Sequence, residues 1–344
     1  MGKLQTMNTQ LKDKCNPQNE RIKHKYRMYL MGPKRLDKKT WTKIMEHIRH
    51  YEELNDFEPL LPLTVDEIHN YVGKICAQDL SLSYIDQNLK VLRDFFEWIT
   101  HQKRYATCVD YNILPYFSLT NNQRKMARAP TYQESYEIDD ILPVIQQMPS
   151  RTDIQQRNRA LVALQTLCGM RIEELATVLL GNLKFDKLAN NWFIYITPRN
   201  MKVKFAKTRH AYFMPWGDDI KNIVVDWATK LRALGFDDKS PLFPVTSTSF
   251  GKQAKLDPTN SQNCIKSQTI RDIFKTAFLS AGLPVYRVHS FRHTIARWAE
   301  THGSPEFFNS VSQSLGHSSV QTTFYNYGTL PPSKIGKVLS VSPV

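Results

Sequence analysis

The chain has 344 residues, 41% of them apolar, and a formal net charge of +14 from 46 basic and 32 acidic side chains. That length predicts two domains, each large enough for its own core. The charge points to a polyanionic partner, nucleic acid before a membrane surface, and no apolar run approaches the ~20 residues that a membrane span needs.

Residues 1–37 are rich in Lys, Arg, Asn and Gln and are expected to form a flexible basic arm, solvated or laid along phosphates. The pattern is helical from 38 to 103, within a domain expected over 38–118. Trp41, Ile44, Met45 and Ile48 recur at helix spacing, and Thr64 with Glu67 has the spacing of a capping box. Leu82, Ile85, Leu89, Leu92, Phe96 and Ile99 advance in steps of three and four, the stripe of a helix that faces a core. Lys90 and Arg93 lie off that stripe, where they can meet a DNA backbone. This stretch reads as a helical DNA-binding domain. Residues 119–140, polar and broken by Pro130, read as a linker.

The second domain is expected over 141–330. Helices are predicted at 141–148 and 157–167, the latter ended by Gly169, with Arg171 to Glu174 opening the next. Arg171 then stands at a helix N-terminus, which itself favours an anion, and Glu174 one turn on can brace it. Strands are predicted at 192–196 and 211–214, joined by the basic run RNMKVKFAKTRH that holds Lys202, Lys204 and Lys207. Helical spacing returns at 220–234, with Ile223, Val224, Trp227 and Leu231 on one face, and again at 269–279. The result is a mainly α protein with a small sheet in its second domain, an α+β class.

The segment VHSFRHTIARWAETHGSPEFFNSVSQSLGHSSVQTTFYNY carries the chemistry. His289 and Arg292 sit one helical turn apart, and Gly303 with Pro305 breaks that helix before Leu315-Gly316-His317. Tyr325 and Tyr327 follow. An Arg and two His near one Tyr can hold a phosphate and activate an oxygen nucleophile towards it. Residues 331–344 add a short apolar face, Ile335, Val338 and Leu339, with little chain left to cover it.

Taken together, G-x-R-x-x-E at Gly169 to Glu174, HxxR at His289 to Arg292, LGH at Leu315 to His317 and the following Tyr327 resemble the signature of tyrosine recombinases, the phage integrase family. The resemblance covers roughly residues 38–330 and is specific only in the second half. It implies that Tyr327 attacks a DNA phosphodiester, that Arg171 and Arg292 grip the non-bridging oxygens, and that His317 donates a further hydrogen bond. His289 handles the Tyr proton, and Glu174 supports Arg171. Family members place a hairpin lysine eight residues before a Pro that closes the second strand. Counting back from Pro215 selects Lys207, with Lys204 as runner-up, and leaves Lys202 and Lys204 as DNA contacts.

The same resemblance implies two domains that clamp double-stranded DNA at a specific recombination site. It also implies a homotetramer on two sites, a tail that docks on a neighbouring subunit, and no metal or other cofactor. Integration or excision of a mobile element fits that chemistry. The five scattered cysteines, without a C-x-x-C pair, imply a reducing compartment, so a cytoplasmic, nucleoid-associated protein is expected. Two alternatives share the fold: a type IB topoisomerase-like relaxation activity, and a DNA-binding regulator that does not cleave.

Overall fold

The computed structural model describes residues 15–129, 132–204, 207–246, 256–259 and 261–316. It divides into two compact units, 1–129 and 130–344. The tail at 331–344 lies outside the described residues, as do His317, Tyr325 and Tyr327.

The first unit is helical: α1 (Pro17–Met31), α2 (Lys38–Leu54), α3 (Val65–Cys76), α4 (Leu82–Thr100) and α5 (Asn121–Arg128). The stripe on α4 is its organising surface. Ile85, Leu89, Leu92, Phe96 and Ile99 are all buried, and Phe96 stacks on Phe117 with ring centroids 5.4 Å apart. Burying each such side chain contributes roughly 1.5–3 kcal/mol. The α3 start is the expected capping box: the Glu67 N–H donates to Thr64 Oγ1 at 3.3 Å, and the Thr64 N–H donates to Glu67 Oε2 at 2.7 Å.

Two stretches differ from the sequence expectation. Within the supposed arm, residues 17–31 form α1, whose Ile22, Tyr26 and Leu30 enter the core. Lys23, expected among solvated charges, is buried and paired with Glu52. These three apolar residues recur every fourth position, a sparse stripe that the surrounding polar side chains mask. Within the supposed linker, Thr120 caps α5, with Gln123 completing a capping box. The caps satisfy its first turn, and although no residue of this helix is fully buried, Ala127 packs against the core beside α4. The division between units falls between Ala129 and Pro130.

The second unit is built around α7 (Asp153–Cys168), preceded by α6 (Ile138–Gln147). Every α7 residue from Ala160 to Cys168 is buried, which explains why the sequence there lacks a polar face. A short α8 (Ile172–Thr177) leads to a three-stranded antiparallel sheet, β1 (Leu183–Asp186), β2 (Asn191–Ile196) and β3 (Arg209–Tyr212), in the order β1-β2-β3. Its edge strand β1 is too short to show an alternation in sequence. Ile194 pairs with Leu183 on one side and Ala211 on the other, all three facing the core. Then come α9 (Asp218–Ala233), α10 (Ser267–Ser280), α11 (Ser290–His302) and α12 (Pro305–Leu315). A separate apolar cluster of Met214, Ile295, Ala296, Ala299, Val311 and Leu315 seats α12 on α11 and the end of β3. The mainly α architecture with a small sheet is the one the sequence predicts.

Candidate active site

Three backbone corners of the second unit meet at one place. The first is Gly169, which ends α7 in the left-handed region at φ 53°. A side chain there is impossible without movement: an added Cβ would lie 2.8 Å from Ile295 Cδ1 and 3.0 Å from Leu315 Cδ2. The second corner is His289, the residue that caps α11. The third is Gly316, which ends α12 at φ 75°.

Two buried side chains tie these corners together. Gln165 Nε2 donates to Met170 O at 3.0 Å and Val288 O at 3.2 Å, the carbonyls just before Arg171 and His289. Arg292, wholly buried, donates from Nη1 to Gly169 O and from Nη2 to Leu315 O, both at 2.7 Å. Neither duty is legible from spacing, because each side chain reaches a carbonyl 123 positions away, save by the general rule that buried donors find acceptors.

Arg171 precedes α8, and its backbone N–H donates to Glu174 Oε2 at 2.9 Å. Its guanidinium stays partly exposed, 22%, with Nη1 3.4 Å from Glu174 Oε1. Glu174 itself is fully buried and receives a fork from Arg209: Nη1 to Oε1 at 2.9 Å and Nη2 to Oε2 at 2.6 Å. Burial alone raises the pKa of such a carboxyl. The hydrogen bonds and charge of Arg209, and then those of Arg171, outweigh it and hold Glu174 below the usual carboxylate range. Arg209 was not singled out in the sequence, yet a signal exists. Arg209, Ala211 and Phe213 alternate towards the core, so an Arg in that series needs a buried acid.

His289 lies at the surface of this frame. The protein packed around its ring, then the charges of Arg292, Arg171 and Lys204, lower its pKa to about 4, so the imidazole is neutral at pH 7. The structure therefore brings together Arg171, Glu174, His289 and Arg292. Of the hairpin lysines, Lys204 acts most strongly on His289. The Lys202 backbone N–H donates to Thr177 Oγ1 at 2.9 Å, and its charge acts on Cys264. Lys207 is exposed, two residues before Arg209. His317 follows Gly316 directly in the chain; its own position and that of Tyr327 are outside the described residues. Lys90 and Arg93 belong to the first unit, where Lys90 is exposed and Arg93 half-buried on α4.

Among the described residues no group of three His, Cys, Asp or Glu side chains is placed to hold a metal ion, and no helix is long and apolar enough to cross a membrane. What the arrangement offers instead is positive charge and donors beside a neutral imidazole. That combination suits an anionic centre that loses or gains a proton nearby.

Residues 134–332 match the profile of the Phage integrase family. The chain is 24% identical over 313 residues to the tyrosine recombinase XerC of Rickettsia bellii (strain RML369-C), covering 87% of this chain and 89% of that one. Its fold is similar to that of a lambda integrase dimer bound to a COC' core site, with TM-score 0.61 at 16% identity over 88% of this chain and 93% of the other. A lambda integrase tetramer bound to a Holliday junction is similar with TM-score 0.56 at 15% identity, covering 91% and 81%.

Proposed function

The chain belongs to the phage integrase family of site-specific tyrosine recombinases, and we propose that it cuts and rejoins double-stranded DNA through a 3′-phosphotyrosyl intermediate. The observation that carries this reading is the convergence of Arg171, His289, Arg292 and the Gly316 turn on Gly169, held by Gln165 and by Arg292 itself.

In the proposed reaction the Tyr327 oxygen attacks phosphorus and its proton passes to His289, which is neutral and so able to accept it. The P–O5′ bond breaks, and the departing 5′ oxygen takes a proton from a lysine. The charge of Lys204, which acts on His289, supports Lys204 for that duty over Lys207, which then joins Lys202 as a contact to the DNA backbone. Arg171, whose guanidinium is partly exposed, receives the non-bridging oxygens. The buried Arg292 adds its positive charge from behind while its terminal nitrogens hold Gly169 O and Leu315 O, and His317 adds a donor. An Arg fork suits two oxygens of one phosphate, which a lysine cannot match. Removing one such donor typically slows a reaction ~10²- to 10³-fold. Rejoining is the reverse, with a 5′ hydroxyl as nucleophile. Lys90 and Arg93 belong to the duplex contacts, and a homotetramer on two sites is the assembly that exchange between two duplexes requires.

The test is covalent capture. Incubated with randomised duplex DNA, the protein should form an adduct that survives SDS and disappears on proteolysis, and sequencing the trapped DNA should return a common site. Tyr327→Phe should abolish the adduct while DNA binding persists. An adduct that persists in Tyr327→Phe but is lost in Tyr325→Phe moves the nucleophile to Tyr325.

A further inference from the structure

Glu174 has more cations than it needs. Both of its oxygens are taken by Arg209, at 2.9 and 2.6 Å, while the Arg171 guanidinium reaches it only at 3.4 Å. Forked, charge-assisted pairs are roughly twice as strong as neutral hydrogen bonds. A buried carboxylate without such a partner would draw in the next cation, and Arg171, three residues away, is that cation. An Arg171 locked onto Glu174 could not serve a phosphate.

Arg209 has a second hold. Its Nε donates to Ser314 O at 3.0 Å, and its side chain packs so closely under Gly316 that a Cβ there would lie 2.6 Å from Arg209 Cδ. Strand β3 is further clipped to α12 where the Tyr212 N–H donates to Ser314 Oγ at 3.1 Å. One guanidinium on β3 thus touches both the acid behind Arg171 and the turn from which the chain enters His317.

We propose that Arg209 is a positioning residue that saturates Glu174, leaving Arg171 oriented by its backbone yet available to the reacting phosphate, while it sets the Gly316 turn. This rests on the reading of Arg171 as a phosphate ligand. Lysine is no substitute, because a single ammonium cannot span both carboxylate oxygens and the Ser314 carbonyl.

The experiment uses the full chain and the duplex recovered by covalent capture, nicked so that cleavage is irreversible. Single-turnover cleavage rate, DNA affinity and thermal unfolding are measured for Arg209→Gln, the double variant Arg209→Gln/Glu174→Gln, and Arg171→Ala. Arg209→Gln should cut about 100-fold more slowly at nearly unchanged affinity, and adding Glu174→Gln should restore at least about tenfold, because no buried carboxylate remains to capture Arg171. A purely structural role predicts no such rescue. The proposal is overturned if Arg209→Gln cuts as fast as the unmodified protein, or if the double variant is no faster than the single one. Should Arg209→Gln fail to fold, the double variant, which buries no unpaired charge, decides alone. A rate within about thirtyfold of the unmodified protein supports the proposal, and a larger loss overturns it. Arg171→Ala separates the two levels. If it still cuts, the phosphate-ligand reading itself falls; if it is inactive and rescue fails, only the role of Arg209 falls.

Discussion

Arg292 donates to the carbonyl of Gly169 at 2.7 Å, across 123 residues of chain, and its other terminal nitrogen reaches Leu315 O at the same distance. The residue that the motif marks as a phosphate ligand is therefore also the clasp between two left-handed corners. Arg292→Ala should lose both cleavage and stability. Leaving two buried carbonyls without their donors costs about 1–3 kcal/mol each. Urea unfolding checks this, and a variant as stable as the unmodified protein would show that the clasp contributes nothing.

Gly169 and Gly282 offer a matched pair. Both have positive φ, 53° and 73°, but an added Cβ meets Ile295, Leu315 and Arg292 at Gly169 and nothing within 4 Å at Gly282. Gly282→Ala should cost about 1 kcal/mol, from backbone strain alone. Gly169→Ala adds overpacking of about 1–3 kcal/mol and displaces Arg292, so cleavage should fall as well. Equal melting temperatures for the two variants would contradict the packing around Gly169.

Stability should depend on acid through His289 and His293. Packing around each ring is the main cause of its lowered pKa, to about 4 and about 3, against 6.5 for a free imidazole. Between those values and 6.5 the unfolded chain binds more protons than the folded one, so unfolding free energy rises with pH across that window. The contribution is complete above about pH 6.5 and is lost as pH falls towards 4. Replacing His293 by Gln should flatten the slope of urea stability between pH 4 and 6.5, and an unchanged slope would remove His293 from this account.

The hairpin lysines should divide by chemistry. Lys204→Ala should slow cleavage of an ordinary site strongly, yet cut nearly normally when the 5′ leaving oxygen is replaced by sulfur, which departs without a proton. Lys207→Ala should instead weaken affinity alone. If the sulfur substrate rescues Lys207→Ala and not Lys204→Ala, the acid is Lys207.

Lys90 and Arg93 make a different demand. Replacing both with Ala should lower DNA affinity and reduce the slope of log affinity against log salt by about one per lost phosphate contact. A binding isotherm series from low to moderate salt reads this directly. An unchanged slope would take α4 off the DNA.

Spacing put Arg171 with Glu174 and His289 with Arg292 one turn apart, because a helix places neighbours three apart on one face whatever surrounds it, and the resemblance to tyrosine recombinases marked them as site residues. The same periodicity disclosed the core stripe of α4 and the Thr64 cap, both local properties. It did not disclose α1, where Ile22, Tyr26 and Leu30 stand in a polar background and only a partner core makes them count. Spacing likewise left Lys202, Lys204 and Lys207 as alternatives, since two-residue steps along a connection do not say whose charge acts on His289. The roles of Gln165 and Arg209 belong wholly to the tertiary structure. Each is one buried polar side chain with at least one partner far off in sequence, Val288 for Gln165 and both Glu174 and Ser314 for Arg209. Burial obliges such a group to find acceptors, but only the packed fold decides which.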